Sequence, residues 1–385
     1  METADVVIIG GGIVGSSIAW HLCEAGCTNV FVLERESQQG KGSTGKSMGG
    51  VRAQFATDVN IQMSLYSIPF YATFEERTGE TAGYRPQGYL FLATSDRQLQ
   101  QLQANQVRQK ALGLKDAEML SADDIRKSFP LLRTDDVAGG TFCPTDGFVD
   151  PNSAMVGFSK AACSRGARVL KSAEVLGIET DGHGACAVRT SNCEIATRVV
   201  VNAAGAWATQ VGRMVGIELP VVPTKRMLVP TEPFAEFPHT APMIIDMSNG
   251  FHFRPESLGF LLAWNDADER HGFDTNFEPD FLEKILTRAA ERVPCFENLA
   301  VNPKKAWAGL YEVTPDHHCI LGAVPEVPGF FVANGFSGHG VMHAPATGRI
   351  LADLILKGET SIVDAHVLRP SRFREGDTIH ETAVL

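Results

Sequence analysis

Apolar residues recur along this chain in two rhythms, and the change from one to the other marks its elements. Val6-Val-Ile-Ile9 and Val30-Phe-Val-Leu33 are short runs with no polar residue on either side of the pleat, the pattern of strands covered on both faces. Between them, Ser16 to Ala25 reads as a helix. An amphipathic stretch follows from Asp58 to Arg77, then a strand from Gly88 to Ala93. Asp96 to Leu112 and Ser121 to Phe129 predict helices, the second opened by a Ser/Asp cap. Asn152 to Arg165 predicts another, closed by Gly166. Short strands are expected at Arg168 to Leu170, Glu174 to Glu179, Ala185 to Arg189 and Arg198 to Asn202. Between Leu219 and Trp264 apolar and aromatic residues alternate among prolines, which predicts a β-rich block. Phe281 to Val293 is helical, Phe330 to Ala333 a strand, and Val341 to Lys357 a last helix. Pro370 to Leu385 is polar and without period, so a loose tail is expected there.

Helices and strands thus alternate at both ends around a β-rich middle. The pattern predicts an α/β protein: a discontinuous Rossmann-like domain built from 1–85, 150–215 and 300–370. An α+β domain on a mixed sheet is inserted from 86–149 and 216–299, and 371–385 is left as tail. At 385 residues two domains are expected, and the net charge of −11 excludes nucleic acid and an anionic membrane surface as partners. No apolar run reaches membrane-spanning length, and a first strand beginning by Asp5 leaves no room for a signal peptide. The eight cysteines form no C-x-x-C pair and no zinc-like spacing, which predicts no metal and reduced thiols in a cytoplasmic protein.

The first strand ends in glycines. Gly10, Gly12 and Gly15 fit G-x-G-x-x-G, and Glu34 closes the next strand. The first glycine allows the tight turn, the second lets a pyrophosphate reach the backbone, and the third lets helix and strand pack closely. The carboxylate accepts from a ribose diol, and the helix N-terminus favours the anion. The spacing predicts a bound dinucleotide.

Three further stretches narrow the choice. Arg198-Val-Val-Val-Asn-Ala-Ala-Gly-Ala-Trp207 is a strand ending in small residues, and Gly42-Ser-Thr-Gly45 lies in a glycine-rich run. Tyr311-Glu-Val-Thr-Pro-Asp316 and Gly335-Phe-Ser-Gly-His-Gly340 precede the last helix. Together with the fingerprint, these resemble the D-amino-acid-oxidase-type FAD-dependent oxidoreductase superfamily. Within it the chain resembles the sarcosine oxidase group, including the β subunits of sarcosine oxidase and proline dehydrogenase, from Asp5 to about Gly358. The resemblance implies FAD, an FAD-binding and a substrate-binding domain, and oxidation of a secondary or tertiary amine, commonly an N-alkyl or cyclic amino acid. It also admits an electron-accepting partner subunit.

The resemblance assigns residues as well. Ile13, Val14 and Arg35 join the fingerprint at the cofactor. Ser43 to Gly50 resembles the loop that passes the ribityl chain and flavin edge, with the Ser43, Thr44 and Ser47 hydroxyls and the backbone at Lys46, Met48, Gly49 and Gly50 as contacts. Val175 matches the position that reads adenine, and Ala204, Gly205 and Trp207 match the diphosphate side. Gly338, His339, Gly340 and Val341 match the helix start that stabilises reduced flavin. Arg52 matches the arginine that grips the substrate carboxylate, a task suited to a bidentate guanidinium. Tyr311 faces the same region, and His252 or His339 is a candidate proton acceptor for the amine.

Two departures stand out. Gly309 replaces the cysteine that attaches FAD in monomeric sarcosine oxidases, so noncovalent FAD is expected. The lysines that help reduced flavin react with oxygen are missing from Gly259 to Ala263 and replaced at Met342, which points toward dehydrogenase behaviour. Glycine/D-amino-acid or 2-hydroxy-acid oxidase-like activity on the same scaffold, and a non-catalytic flavin-binding assembly factor, are the alternative readings.

Overall fold

The computed structural model describes residues 2–266 and 270–383. A six-stranded sheet runs in the order Ile320–Ala323, Phe330–Asn334, Val200–Asn202, Val6–Ile9, Val30–Leu33, Arg168–Leu170, parallel except at the first pair. Val6 and Ile8 pack toward Ile18, Leu22 and Ile350, whereas Val7 and Ile9 join Phe31 and Val200 on the other face. Both faces are covered, which is why these strands are apolar throughout. Helix Ile13–Glu24 leaves the first strand and packs against helices Pro151–Cys163 and Gly340–Lys357. A four-stranded sheet, in the order Glu2–Thr3, Glu194–Ala196, Gly184–Thr190, Val175–Asp181, flanks this layer.

An eight-stranded mixed sheet forms the second layer. The β-rich block resolves into four of its strands, Val222–Pro230, Met243–Asp246, His252–Glu256 and Gly259–Ala263. Trp307–Val313 is its edge strand, although the sequence pattern groups 300–370 with the nucleotide-binding part. Gly139–Cys143 is a strand the apolar rhythm does not signal, because its first residues are glycines. Gly140 lies so close to the neighbouring strand that a side-chain carbon there would sit 2.2 Å from the Phe91 carbonyl oxygen. The stretch from Asp58 to Arg77 is two helices, Asp58–Ala72 and Phe74–Thr78, broken at Thr73. The Ser121 cap forms as expected, with its hydroxyl accepting from Asp124 N–H at 3.2 Å. No helix among the described residues is long and apolar enough to cross a membrane.

The expectation of a loose tail is wrong through residue 383. Arg372 is fully buried and forks onto Asp316, Nε to Oδ2 at 2.8 Å and Nη2 to Oδ1 at 3.0 Å. Glu381 is 3% exposed, and its carboxylate accepts from Ala56 N–H at 3.0 Å, the Thr57 hydroxyl at 2.7 Å and Asn60 Nδ2 at 3.0 Å. A polar, aperiodic segment can be ordered when buried charges rather than apolar contacts hold it. This one is.

Candidate active site

The carboxyl ends of Val6–Ile9, Val30–Leu33 and Val200–Asn202 open on a cavity of about 690 Å³, where a doubly wound sheet takes its ligand. Gly10 has φ +113°, and a side-chain carbon on it would stand 2.2 Å from the Ala203 oxygen. One on Gly15 would stand 2.0 Å from the Gly10 oxygen, so strand, turn and helix meet with no room for a side chain. Gly12, Ile13 and Val14 line the cavity at the helix start, whereas Gly15 lies behind it in this contact. Glu34 accepts from Gly11 N–H at 3.2 Å and Glu36 N–H at 2.9 Å; burial raises its carboxyl above the usual range while those bonds pull it back. Arg35 lies 3.7 Å over the Trp207 ring, which stacks on Phe273 at 5.5 Å. Val175, Ala204 and Gly205 line this same end.

The loop after Glu34 continues the wall toward Gly309, Tyr311, Gly338, Gly340 and Val341. Ser43, Thr44, Lys46, Ser47 and Met48 all face the cavity, but their hydroxyls also have internal partners. Thr44 Oγ1 accepts from Ile13 N–H at 3.1 Å, capping a helix whose Gly12 has no side chain to do so. Ser43 Oγ donates to the Leu310 carbonyl at 2.7 Å, and Ser47 Oγ accepts from Gly49 N–H at 3.1 Å. Gly49 itself faces Val149 and does not line the cavity. The lining fits FAD: a carboxylate and stacked aromatics at one end, two helix N-termini along the wall, and Gly309 and Gly338 at the other. No cysteine lines it among the described residues, and a side-chain carbon on Gly309 would sit 3.0 Å from Lys46 Cβ.

Gly50, Arg52, His339 and Met342 instead line a second, smaller cavity of about 40 Å³. Ser47, Met48, His252, Tyr311 and Gly338 belong to both walls, so the two spaces adjoin. Arg52 is buried, its guanidinium 3.8 Å above the Phe55 ring. Its Nη1 donates to the Gln54 carbonyl and its Nη2 to the Ala383 carbonyl, but Nε has no hydrogen-bond partner among the described residues. Burial holds the guanidinium below its usual range, opposed by the Glu381 and Asp146 carboxylates. Asp146, which accepts from Ala53 N–H at 2.7 Å and Gln54 Nε2 at 2.9 Å, holds the two residues that follow Arg52; burial pushes its carboxyl up to about 6. The histidines are neutral. Burial lowers His252 to about 4, and its Nδ1, 2.9 Å from the Gly250 carbonyl, carries the proton that leaves Nε2 an acceptor. His339 meets Phe55 edge-on at 4.9 Å and is held well below its usual value by burial and by Arg52. Tyr311 lies beneath Arg226, 5.0 Å from its ring centroid, and burial raises its hydroxyl.

Four residues of this region escape the motif reading: Asp146, Arg226, Glu312 and Glu381. Glu312 lines the large cavity, accepts from Gly335 N–H at 3.0 Å, and is raised to about 7 by burial. A carboxylate in an apolar strand was the available signal for it. Glu381 carried none, standing alone in a polar stretch.

The FAD dependent oxidoreductase (DAO) family model matches residues 5–354. The chain belongs to this family. It is therefore a flavoprotein oxidoreductase, and FAD is its cofactor. The chain is 35% identical, over 93% of its length and 80% of the relative's, to FAD-dependent oxidoreductase domain-containing protein 1 of Xenopus laevis. It is 30% identical, over 99% of its length, to the mitochondrial dimethylglycine dehydrogenase of Rattus norvegicus, of which it spans only 46%. The L-proline dehydrogenase structure from P. horikoshii superposes with a TM-score of 0.91 at 31% identity, covering 98% of this chain and 99% of that one.

Proposed function

We propose that this FAD enzyme oxidises the C–N bond of a carboxylate-bearing secondary or tertiary amine, an N-alkyl or cyclic amino acid. The observation that carries this reading is the buried Arg52 guanidinium, with its Nε unpartnered, beside the cofactor cavity. An unpaired donor on a buried cation is costly unless an anion completes it. Bound FAD supplies the two-electron acceptor. The chain's residues do the rest: Arg52 fixes the carboxylate, and so the carbon that must lose hydride, in one orientation. His252 Nε2, or the His339 ring, accepts the proton of the ammonium form, so that the amine is oxidised with its lone pair free. Tyr311, under Arg226, closes the opposite wall and excludes water. The imine leaves and hydrolyses.

The relatives support the substrate class, since two carry dimethylglycine or proline in their names. With glycine at 309 and no cysteine in the described lining, the FAD is held without a covalent bond. The free cysteines among the described residues accord with a reducing, cytoplasmic setting. The separate six- and eight-stranded sheets support a division into a cofactor and a substrate domain. Leu261 and Met342, buried where oxidases carry lysines, favour a non-oxygen acceptor such as a partner subunit. A second reading, an oxidase, draws on Lys46, a cavity-lining residue whose side-chain stem lies beside Gly309. The rate at which oxygen reoxidises the reduced enzyme separates the two.

Arg52→Ala tests the substrate reading. It should leave FAD bound and cut kred/Kd for flavin reduction by sarcosine or proline by about a hundredfold or more, the worth of a bidentate charged pair. Reduction indifferent to Arg52 would remove the amino-acid reading, and reduction by no amine at all would favour a non-catalytic flavin protein.

A further inference from the structure

We propose that Glu381 is a positioning residue for substrate binding: it anchors a strap, residues 377–383, whose Ala383 carbonyl occupies half of the carboxylate fork on Arg52. This rests on the reading of Arg52 as the carboxylate-binding residue.

Three observations carry it. The first is the geometry of the guanidinium. A carboxylate can dock side-on against Nε and Nη2, as in two of this chain's own ion pairs, whereas Arg292 takes Asp136 end-on through Nη1 and Nη2. Arg213 takes Glu218 through Nε at 2.8 Å and Nη2 at 2.7 Å, and Arg372 takes Asp316 through the same two nitrogens at 2.8 and 3.0 Å. On Arg52 this same edge is half filled. Nη2 holds the Ala383 carbonyl and Nε holds nothing, while Nη1 is turned away to Gln54. The Ala383 carbonyl oxygen accepts from Nη2 alone, so among the described residues the Nε donor of the fork is left without a partner.

The second is the anchor. Ala383 N–H donates to Glu381 Oε1 at 2.8 Å, so this carboxylate holds the residue whose carbonyl meets Arg52. Glu381 is tied in turn to the start of the Asp58–Ala72 helix, through Ala56 N–H, Thr57 and Asn60, and its own N–H donates to the Asp316 carbonyl at 3.1 Å. The third is room. The cavity against Arg52 is about 40 Å³, little more than one water's share of roughly 30 Å³. A substrate carboxylate that takes both Nε and Nη2 must displace the Ala383 carbonyl. The strap therefore competes with the substrate's carboxylate, and Glu381 sets the strength of the competition. An amine without a carboxylate has nothing with which to displace it.

Acetate, titrated into the FAD-loaded protein and followed by the flavin difference spectrum, isolates the carboxylate step. In the wild type, acetate should perturb the flavin and raise amide hydrogen exchange over 379–383. Glu381→Gln, and a chain ending at Gly376, should bind acetate about tenfold or more tightly, with FAD content unchanged. Damage to the fold would weaken binding, so a gain separates the strap's competition from a merely structural role. Equal or weaker acetate binding in both variants, with exchange over 379–383 unmoved in the wild type, overturns the strap while leaving Arg52 as the anion site. An acetate response that survives Arg52→Ala overturns the reading of Arg52 itself.

Discussion

The two ends of the active region are built by different means. The cofactor end is a backbone structure: a strand, a glycine turn and a helix within residues 6–24, completed by Glu34 ten residues on. Its fit depends on what is absent, since side-chain carbons at Gly10 and Gly15 would collide with main-chain oxygens. The Arg52 end is assembled from buried charged and polar side chains drawn from 52–60, 146, 252, 311, 339 and 381–383, which meet only in the folded chain. A backbone site leaves a compact signature in sequence. A site of distant buried charges leaves single residues that look like ordinary surface ones.

Exchanges at the cofactor end sharpen that contrast first. Glu34→Ala should weaken FAD retention by about 1.5–3 kcal/mol, the range for hydrogen bonds to a charged group, and it also leaves the Gly11 and Glu36 N–H groups without their acceptor. Flavin occupancy after dialysis is the readout. Unchanged occupancy would mean that the fingerprint has another use.

A smaller effect belongs to Glu312, where the two ends meet. Its carboxyl is raised from 4.5 to about 7 by burial, so the folded protein favours the protonated form. Its stabilising share is complete below the ordinary value and is lost as pH rises through about 7. Glu312→Gln removes that dependence. The variant should gain stability over the wild type between pH 5 and pH 8, by about 2 kcal/mol once water in the cavity is allowed for. A difference in Tm that stays flat with pH would show that the carboxyl is not held protonated.

This contrast also explains what the sequence discloses. The six-stranded sheet, the Gly10 turn and Glu34 were legible because a doubly covered strand and a glycine fingerprint are local patterns. Thr44 lines the cavity, but its use as the acceptor for Ile13 N–H depends on a contact 31 residues away. Arg52 was found by resemblance, and nothing in its neighbourhood announces that its guanidinium holds the Ala383 carbonyl across 331 residues. Strand Gly139–Cys143 was hidden because close packing against Phe91 requires the glycines that mask its rhythm. Glu381 was hidden because a latch made of hydrogen bonds has no periodicity.

The central claim is that the enzyme recognises an amine by its carboxylate. Anaerobic stopped-flow mixing of the FAD-loaded wild type with matched pairs tests it most directly: sarcosine against dimethylamine, and proline against pyrrolidine. The account predicts that the carboxylate-bearing member of a pair bleaches the flavin with a kred/Kd about a hundredfold or more above its partner's. Equal bleaching by both members, or bleaching by a 2-hydroxy acid in place of either amino acid, would contradict it.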